Sequence, residues 1–345
     1  MKTRSPWLTL ISLVAGGALF VFVIRQTGTH ELWLRLTQLD ARFLWLLLVS
    51  GLRPLVRAAA WWHCLPQAER HGAFIPLWRA RLIGDAVGNV TTAGPLLAEP
   101  ARLLALGGKL PMTTATASLS LEFLSYFLSA CLVMFAGLLA LLTQFALNAS
   151  LRLASALSLL LLASVIVFIL FIVWRRWSFV TGLQLVAERV GAWQGFSDEF
   201  QTRLHRQFGK LHKIEQHIFD FARHYPRDFG TVCWCEAGFH LLGVIEIALT
   251  LWLMDTATGW FAAFIFESVN RLINVAFAFV PIKLGVDEAG TALLAQVLGF
   301  SSLTGVTLAV YRKLRVLFWT AIGLLLLFVA YLQKPNESPT DSKLA

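Results

Sequence analysis

Leu153-Ala-Ser-Ala-Leu-Ser-Leu-Leu-Leu-Leu-Ala-Ser-Val-Ile-Val-Phe-Ile-Leu-Phe-Ile-Val173 is an apolar run of 21 residues without a charge. At 1.5 Å per residue it extends about 31 Å as a helix, enough to cross roughly 30 Å of hydrocarbon. Lipid offers the backbone no hydrogen bonds, so such a run must close its own as a helix. Thr114 to Leu142 repeats the pattern over 29 residues with one charged group, Glu122. Around these two runs, 57% of the 345 residues are hydrophobic and 14% are charged, and the mean hydropathy is +0.67. A soluble core of this size has no room for so much apolar surface. The fold class expected is therefore all-α, a polytopic transmembrane helical bundle.

Trp7 to Ile24, Phe43 to Trp61, Thr231 to Leu253, Trp260 to Ile282 and Leu314 to Leu332 supply further candidate spans. Trp7, Trp61, Trp62, Trp174, Trp177, Trp234, Trp252 and Trp260 stand near span ends and suit an aromatic belt at the membrane surface. The first span follows Lys2 and Arg4 but lacks a small-residue cleavage site, which reads as a retained helix. The net charge of +9 is spread along the chain rather than gathered into a nucleic-acid patch. Between Arg175 and Gly230, nine basic residues stand against six acidic ones, which by the positive-inside rule makes this amphipathic segment cytoplasmic. Residues 1–333 thus read as one membrane domain, and the polar stretch from Lys334 to Ala345 as a disordered tail.

Two stretches interrupt the helical pattern. Pro95-Leu-Leu-Ala-Glu99-Pro-Ala-Arg102 and Pro281-Ile-Lys-Leu-Gly-Val-Asp-Glu288 can be laid on each other by their glutamates. Each precedes a Ser/Thr-containing stretch that becomes a long apolar helix. Each follows a segment with polar groups at helical spacing, Arg81, Asp85 and Asn89 in the first half, and Glu267, Asn270, Arg271 and Asn274 in the second. Corresponding interrupted segments in two halves point to a transport site at the repeat interface. Proline disfavours continuous helix, and an acid followed by proline, or Asp287 with Glu288 before an Ala/Leu run, suits a helix start. Leu96 to Gly107 and Gly285 to Gly299 are accordingly expected to be short re-entrant or broken helices, Glu99 capping the first, beside a polar cavity.

Charges within apolar spans are costly and should face the bundle interior in pairs. The spacing predicts Arg81 with Asp85, Glu99 with Arg102 and Glu267 with Arg271. Glu122 has no local partner and in the repeat alignment falls near Arg312, which predicts opposite charges from two long helices in one cavity. Arginines there suit a phosphate, and carboxylates a headgroup amine or a proton. The predicted headgroup or gating residues are therefore Glu99, Arg102, Glu122, Glu267, Arg271, Glu288 and Arg312, supported by Arg81, Asp85, Asn89, Asn274 and Asp287. Arg53 and Arg57 read equally as interfacial anchors, and for Arg312, Lys313 and Arg315 that anchoring reading is the stronger one. No phosphate-binding Gly-x-x-x-x-Gly-Lys-Ser/Thr motif is present, and Cys233-Trp-Cys235 lacks a second ligand pair, so no cofactor or metal is expected.

Asn89 to Leu106, with Pro95, Glu99, Pro100 and Arg102, resembles the first signature of the lysylphosphatidylglycerol synthase transmembrane, or flippase-like, family. Pro281 to Leu298 resembles the second, and Tyr311-Arg312 adds to it. The resemblance implies a multi-pass inner-membrane protein, here free-standing without the aminoacyltransferase of some members, that translocates or exports a polar-headed lipid, a phospholipid or an isoprenoid lipid. Membrane lipids would be its partners, with envelope lipid-biosynthesis proteins beside them. An integral-membrane transferase acting on a lipid-linked donor, and a non-transporting envelope scaffold, stay open as alternatives at this point.

Overall fold

The computed structural model describes residues 43–91, 94–175, 223–256, 259–277 and 285–333, with isolated positions between 181 and 221. Trp7 to Ile24, most of the basic middle segment and the polar tail lie outside the described residues. Among the described residues the complete helices are α1 (Phe43–His63), α2 (Phe74–Val90), α3 (Gly94–Ala105), α4 (Met112–Gln144), α5 (Ala149–Arg175), α6 (Pro226–Leu253), α7 (Trp260–Ala276), α8 (Val286–Val297) and α9 (Ser302–Leu332). Five of them, α1, α4, α5, α6 and α9, are long and apolar enough to cross a membrane. The protein is an all-α polytopic membrane bundle.

The two halves repeat in element order and nearly in length. Helices α2, α3 and α4 hold 17, 12 and 33 residues; α7, α8 and α9 hold 17, 12 and 31. A transmembrane helix precedes each trio, α1 in the first half and α6 in the second. These two pack along each other in opposite directions: Arg53 reaches Glu246, and His63 reaches Asp228. The second helix of each half then crosses to the long helix of the other, α2 onto α9 and α7 onto α4. Asn89 bonds Thr320, and Gly323 lies against Leu82 and Ala86; Gly137 lies against Ser268, and Arg271 bonds Tyr126. Both crossings are antiparallel. The result is an inverted repeat whose halves interlock.

Within each half the short helix folds back on its predecessor as a hairpin. Lipid supplies no hydrophobic drive between helices, so close approach depends on small residues. In the first hairpin Gly84 and Gly88 of α2 face Ala98 and Gly94 of α3; in the second, Gly290 of α8 faces Ile273 of α7. Asp228 accepts from His63 at 2.9 Å and ion-pairs with Arg70 at 2.8 Å, tying the end of α1 to the start of α6. The α2/α3 hairpin therefore opens at that face of the bundle, and α7/α8 opens at the opposite one.

Two expectations need correction. Helix α3 starts at Gly94, so Glu99 is not its cap; Gly94 and Pro95 occupy the first turn, and Pro100 sits inside the helix. Helix α7 ends at Ala276 after 17 residues, about 26 Å at 1.5 Å per residue, and positions 278–282 of the expected span lie outside the described residues. Its Glu267, Ser268 and Asn270 are buried against other helices, a setting that a lipid-facing span would not offer. The second broken stretch follows the expectation. Gly285 takes φ +80°, a conformation open to glycine, and the Glu288 carboxylate accepts its backbone N–H at 2.8 Å to start α8. Helix α5 buries Leu162 alone, so it sits on the rim of the bundle against α4.

Candidate functional site

Arg53 and Arg57 stand one turn apart on α1, on the face turned to α6. Arg53 donates to Glu246 at 3.0 Å and to Glu267 at 3.2 Å, joining α6 to α7. Glu246 is also paired with Arg315 of α9, and Glu267 with Arg271 one turn along α7. Arg271 donates to the Tyr126 hydroxyl at 3.1 Å, and the Arg57 guanidinium lies 3.7 Å over the same Tyr126 ring. Arg57 donates to Glu122 at 2.5 Å, and Arg81 of α2 approaches that carboxylate to 2.6 Å. Arg315, Glu246, Arg53, Glu267, Arg271, Tyr126, Arg57, Glu122 and Arg81 thus form one connected chain through the bundle, contributed by α9, α6, α1, α7, α4 and α2.

The Glu122 end of the chain is the most buried: Glu122 is 0% exposed and Arg81 2%, each held by opposite charge, while the side chains of Arg53, Arg271 and Arg315 keep 11 to 14% exposure. Phe239 stacks under Arg53 at 4.4 Å, adding a desolvated cation–π contact. Gly243 of α6 makes room for the Glu267 carboxylate; a Cβ there would stand 2.7 Å from its Cδ. Several donors stay unsatisfied among the described residues, including Arg81 Nε, Arg271 Nε and Arg315 Nε. Such guanidinium N–H groups suit an oxyanion.

The two halves contribute charges of opposite sign. Arg81 and Asp85 are the eighth and twelfth residues of α2; Glu267 and Arg271 hold the same places in α7. In the first half two arginines, Arg57 and Arg81, gather around Glu122 of the long helix. In the second, the acids Glu246 and Glu267 come from the equivalent helices α6 and α7, and the long helix α9 supplies Arg315 to Glu246. The repeat is conserved in geometry and inverted in charge, which lets one half neutralise the other across the interface.

The predicted residues fall into three groups. Glu122, Glu267, Arg271 and Arg81 are in the central chain. Glu99 and Asp85 share Arg102, the latter at 2.5 Å, at the first hairpin, where the Glu99 side chain is 27% exposed and that of Asp85 44%. At the second hairpin, Glu288 is 0% exposed and pairs with Lys313, while Asp287 lies 3.6 Å from Arg312 and 3.4 Å from the Asn274 amide. Asn89 donates to Thr320 at 2.9 Å and belongs to the α2/α9 packing.

Three pairings differ from expectation. Arg81 pairs with Glu122 and not with Asp85, which Arg102 takes. Glu122 and Arg312 do not meet as a pair, since Arg57 and Arg81 hold the former and Asp287 is nearest the latter. Glu99 and Glu288 have no common partner, because α3 rests chiefly on α2, and α8 on α9 and α7. In the low-dielectric interior the described charges close on one another. An open depression of about 560 Å³ lies elsewhere, beside the α1/α6 tie, lined by Trp62, His63, Arg70, His71 and Phe74 among others. The sequence reading left Arg53, Arg57, Arg315, Glu246 and Tyr126 out of the site. Their signal was a charge or hydroxyl in an apolar span with no opposite charge three or four residues away. No cluster of three metal-ligating side chains occurs among the described residues.

Interlocked inverted halves, each with a hairpin and a membrane-spanning helix, closed around a buried arginine–glutamate chain, define a multi-pass integral membrane protein. The chain belongs to the lysylphosphatidylglycerol synthase TM region family, whose pattern matches residues 9–332 of the 345. The match takes in both of the broken stretches whose residues resemble the family signatures. No curated protein and no solved structure matched the chain.

Proposed function

We propose that this protein moves a polar-headed lipid, a phospholipid or an isoprenoid lipid, between the leaflets of the cell inner membrane. One observation carries the reading: the continuous charged chain from Arg315 to Arg81 joins the two inverted halves and lies near the hairpins that open on opposite faces. A headgroup travelling this way exchanges water for guanidinium and carboxylate partners, while the acyl chains stay in lipid beside the bundle. The partners it displaces re-pair with each other, so no charge is left bare in the low-dielectric interior. The interlocked halves supply the alternating exposure, as in transporters built from inverted repeats. The basic middle segment sets the α1/α6 tie at the cytoplasmic face by the positive-inside rule, so α2/α3 opens to the cytoplasm and α7/α8 to the outside. Membrane lipids are the partners, and envelope enzymes that make them are natural neighbours.

Mass spectrometry of the protein released from gentle detergent tests the reading. Wild type is expected to retain a phosphate-bearing lipid, and Arg57→Gln to retain roughly ten- to hundredfold less, for a loss of about 1.5 to 3 kcal/mol in a charge-assisted bond. Equal lipid retention by the two proteins would refute it.

A further inference from the structure

Glu236 is a deeply buried acid that the charged chain leaves aside and that, among the described residues, has no cation at hydrogen-bond distance. It is 2% exposed, on the third turn of α6, about 15 Å along a helix of 28 residues. Every other deeply buried glutamate of the described residues has a cation at hydrogen-bond distance: Glu122 has Arg57 and Arg81, Glu246 has Arg53 and Arg315, Glu267 has Arg53 and Arg271, Glu288 has Lys313. Neither oxygen of Glu236 accepts a hydrogen bond among the described residues, and its nearest cation is Arg57 Nε at 3.9 Å. Arg57 is itself committed to Glu122. Two carboxylates therefore share one guanidinium, and Glu236 has the weaker claim.

The other groups facing Glu236 sharpen this. From α4 comes the like charge of Glu122; Arg81 of α2 and Arg271 of α7 act from further off, each with its own acid. Helix α9 brings Arg315 to Glu246, further along α6. On α6 itself, His240 stands one turn on, its Nε2 3.0 Å from Ser129 Oγ and its Nδ1 without a partner among the described residues. Cys64 at the α1 end and Cys235, the preceding residue of α6, lie within electrostatic reach of it. A buried carboxylate stripped of its counter-charge is neutralised by a proton more cheaply than it is left ionised.

We propose that Glu236 is a proton-binding site that is loaded when a phosphate-bearing headgroup draws Arg57 away, so that each lipid carried is accompanied by a proton. The inference rests on the lipid-moving reading above and names its coupling ion. As the headgroup binds Arg57, Glu236 faces Glu122 without the shared guanidinium and takes a proton from the aqueous phase. When the headgroup leaves, Arg57 returns and the proton is released. His240, a turn away and hydrogen-bonded to Ser129, is placed to pass it on.

The test uses vesicles of phosphatidylethanolamine and phosphatidylglycerol holding the full chain and a trace of fluorescent phosphatidylglycerol, quenched from outside by dithionite. For one proton per lipid, a gradient of about one pH unit is expected to shift the leaflet ratio of the probe about tenfold with wild type, since a unit of pH is a factor of ten in proton activity. Glu236→Gln is expected to equilibrate the probe while ignoring the gradient, and Glu236→Asp to regain the response. A wild type that moves the probe at a ratio indifferent to the gradient overturns this proposal alone. A wild type that moves no probe overturns the lipid-moving reading and this proposal with it. If Glu236→Gln is inactive altogether, infrared difference spectra between acid and alkaline vesicles decide: wild type gains a carboxylic-acid band that the variant lacks, and identical spectra overturn the assignment.

Discussion

Replacing Glu122 with Gln removes the acid on which two arginines converge. Arg57 at 2.5 Å and Arg81 at 2.6 Å would then face each other across a neutral amide, in a place where Glu122 is 0% and Arg81 2% exposed. Breaking a buried ion pair by removing one partner costs about 3 to 5 kcal/mol, because the charge left behind keeps its desolvation penalty. Equilibrium unfolding in mixed dodecylmaltoside and dodecyl sulfate micelles, followed by tryptophan fluorescence, reads this directly. Glu99→Gln is the control: its acid is 27% exposed and is one of two sharing Arg102, so about 0 to 1 kcal/mol is expected. Adding Arg57→Met to Glu122→Gln removes one orphaned charge and should recover a part of the loss, as a positive coupling in the double-mutant cycle. Equal unfolding midpoints for Glu122→Gln and Glu99→Gln, or no coupling with Arg57, would refute the claim that Glu122 holds Arg57 and Arg81 in one desolvated, coupled unit.

Three further outcomes follow from the packing. Gly243→Val should push the Glu267 carboxylate off Arg53 and Arg271 and destabilise the protein by about 1 to 3 kcal/mol, measured by the same unfolding assay, since no space exists for the added Cβ. Glu288→Ala removes both the Gly285 cap and the partner of Lys313, so protease sensitivity should rise around residues 285–297 while the α1/α6 region keeps its protection. In a background without native cysteines, cysteines placed at His63 and Asp228 should be joined by a short bifunctional reagent and change gel mobility, whereas a pair at Phe43 and Asp228, at opposite ends of the α1/α6 contact, should not.

Much of the architecture was legible because hydropathy and turn chemistry are local. Leu153 to Val173 gives α5, Thr114 to Leu142 gives α4, and Asp287 with Glu288 before an Ala/Leu run announces the first turn of α8. The first hairpin was placed correctly but started wrongly, since Gly94 and Pro95 serve as a helix start as well as Glu99 and Pro100 do, and the sequence holds both. The site was harder. Spacing finds partners three or four residues away, and so Glu267–Arg271 and Glu99–Arg102 were found. Arg53 meets its acids 193 and 214 residues downstream, and only the antiparallel packing of α1 on α6 and the crossing of α7 bring them together. The charge inversion left the repeat visible but its partners unread: Arg81 and Glu267 are equivalent in place and opposite in sign, so residue similarity scores that position as a mismatch.

The central claim is that the buried chain between the inverted halves carries a lipid headgroup, and leaflet exchange in vesicles tests it most directly. With fluorescent phosphatidylglycerol in both leaflets and dithionite outside, wild type should expose the inner-leaflet probe and quench all of it, while Arg57→Gln, purified as a folded protein, should quench only the outer-leaflet share, like vesicles without protein. Complete quenching by Arg57→Gln at the wild-type rate would contradict the account.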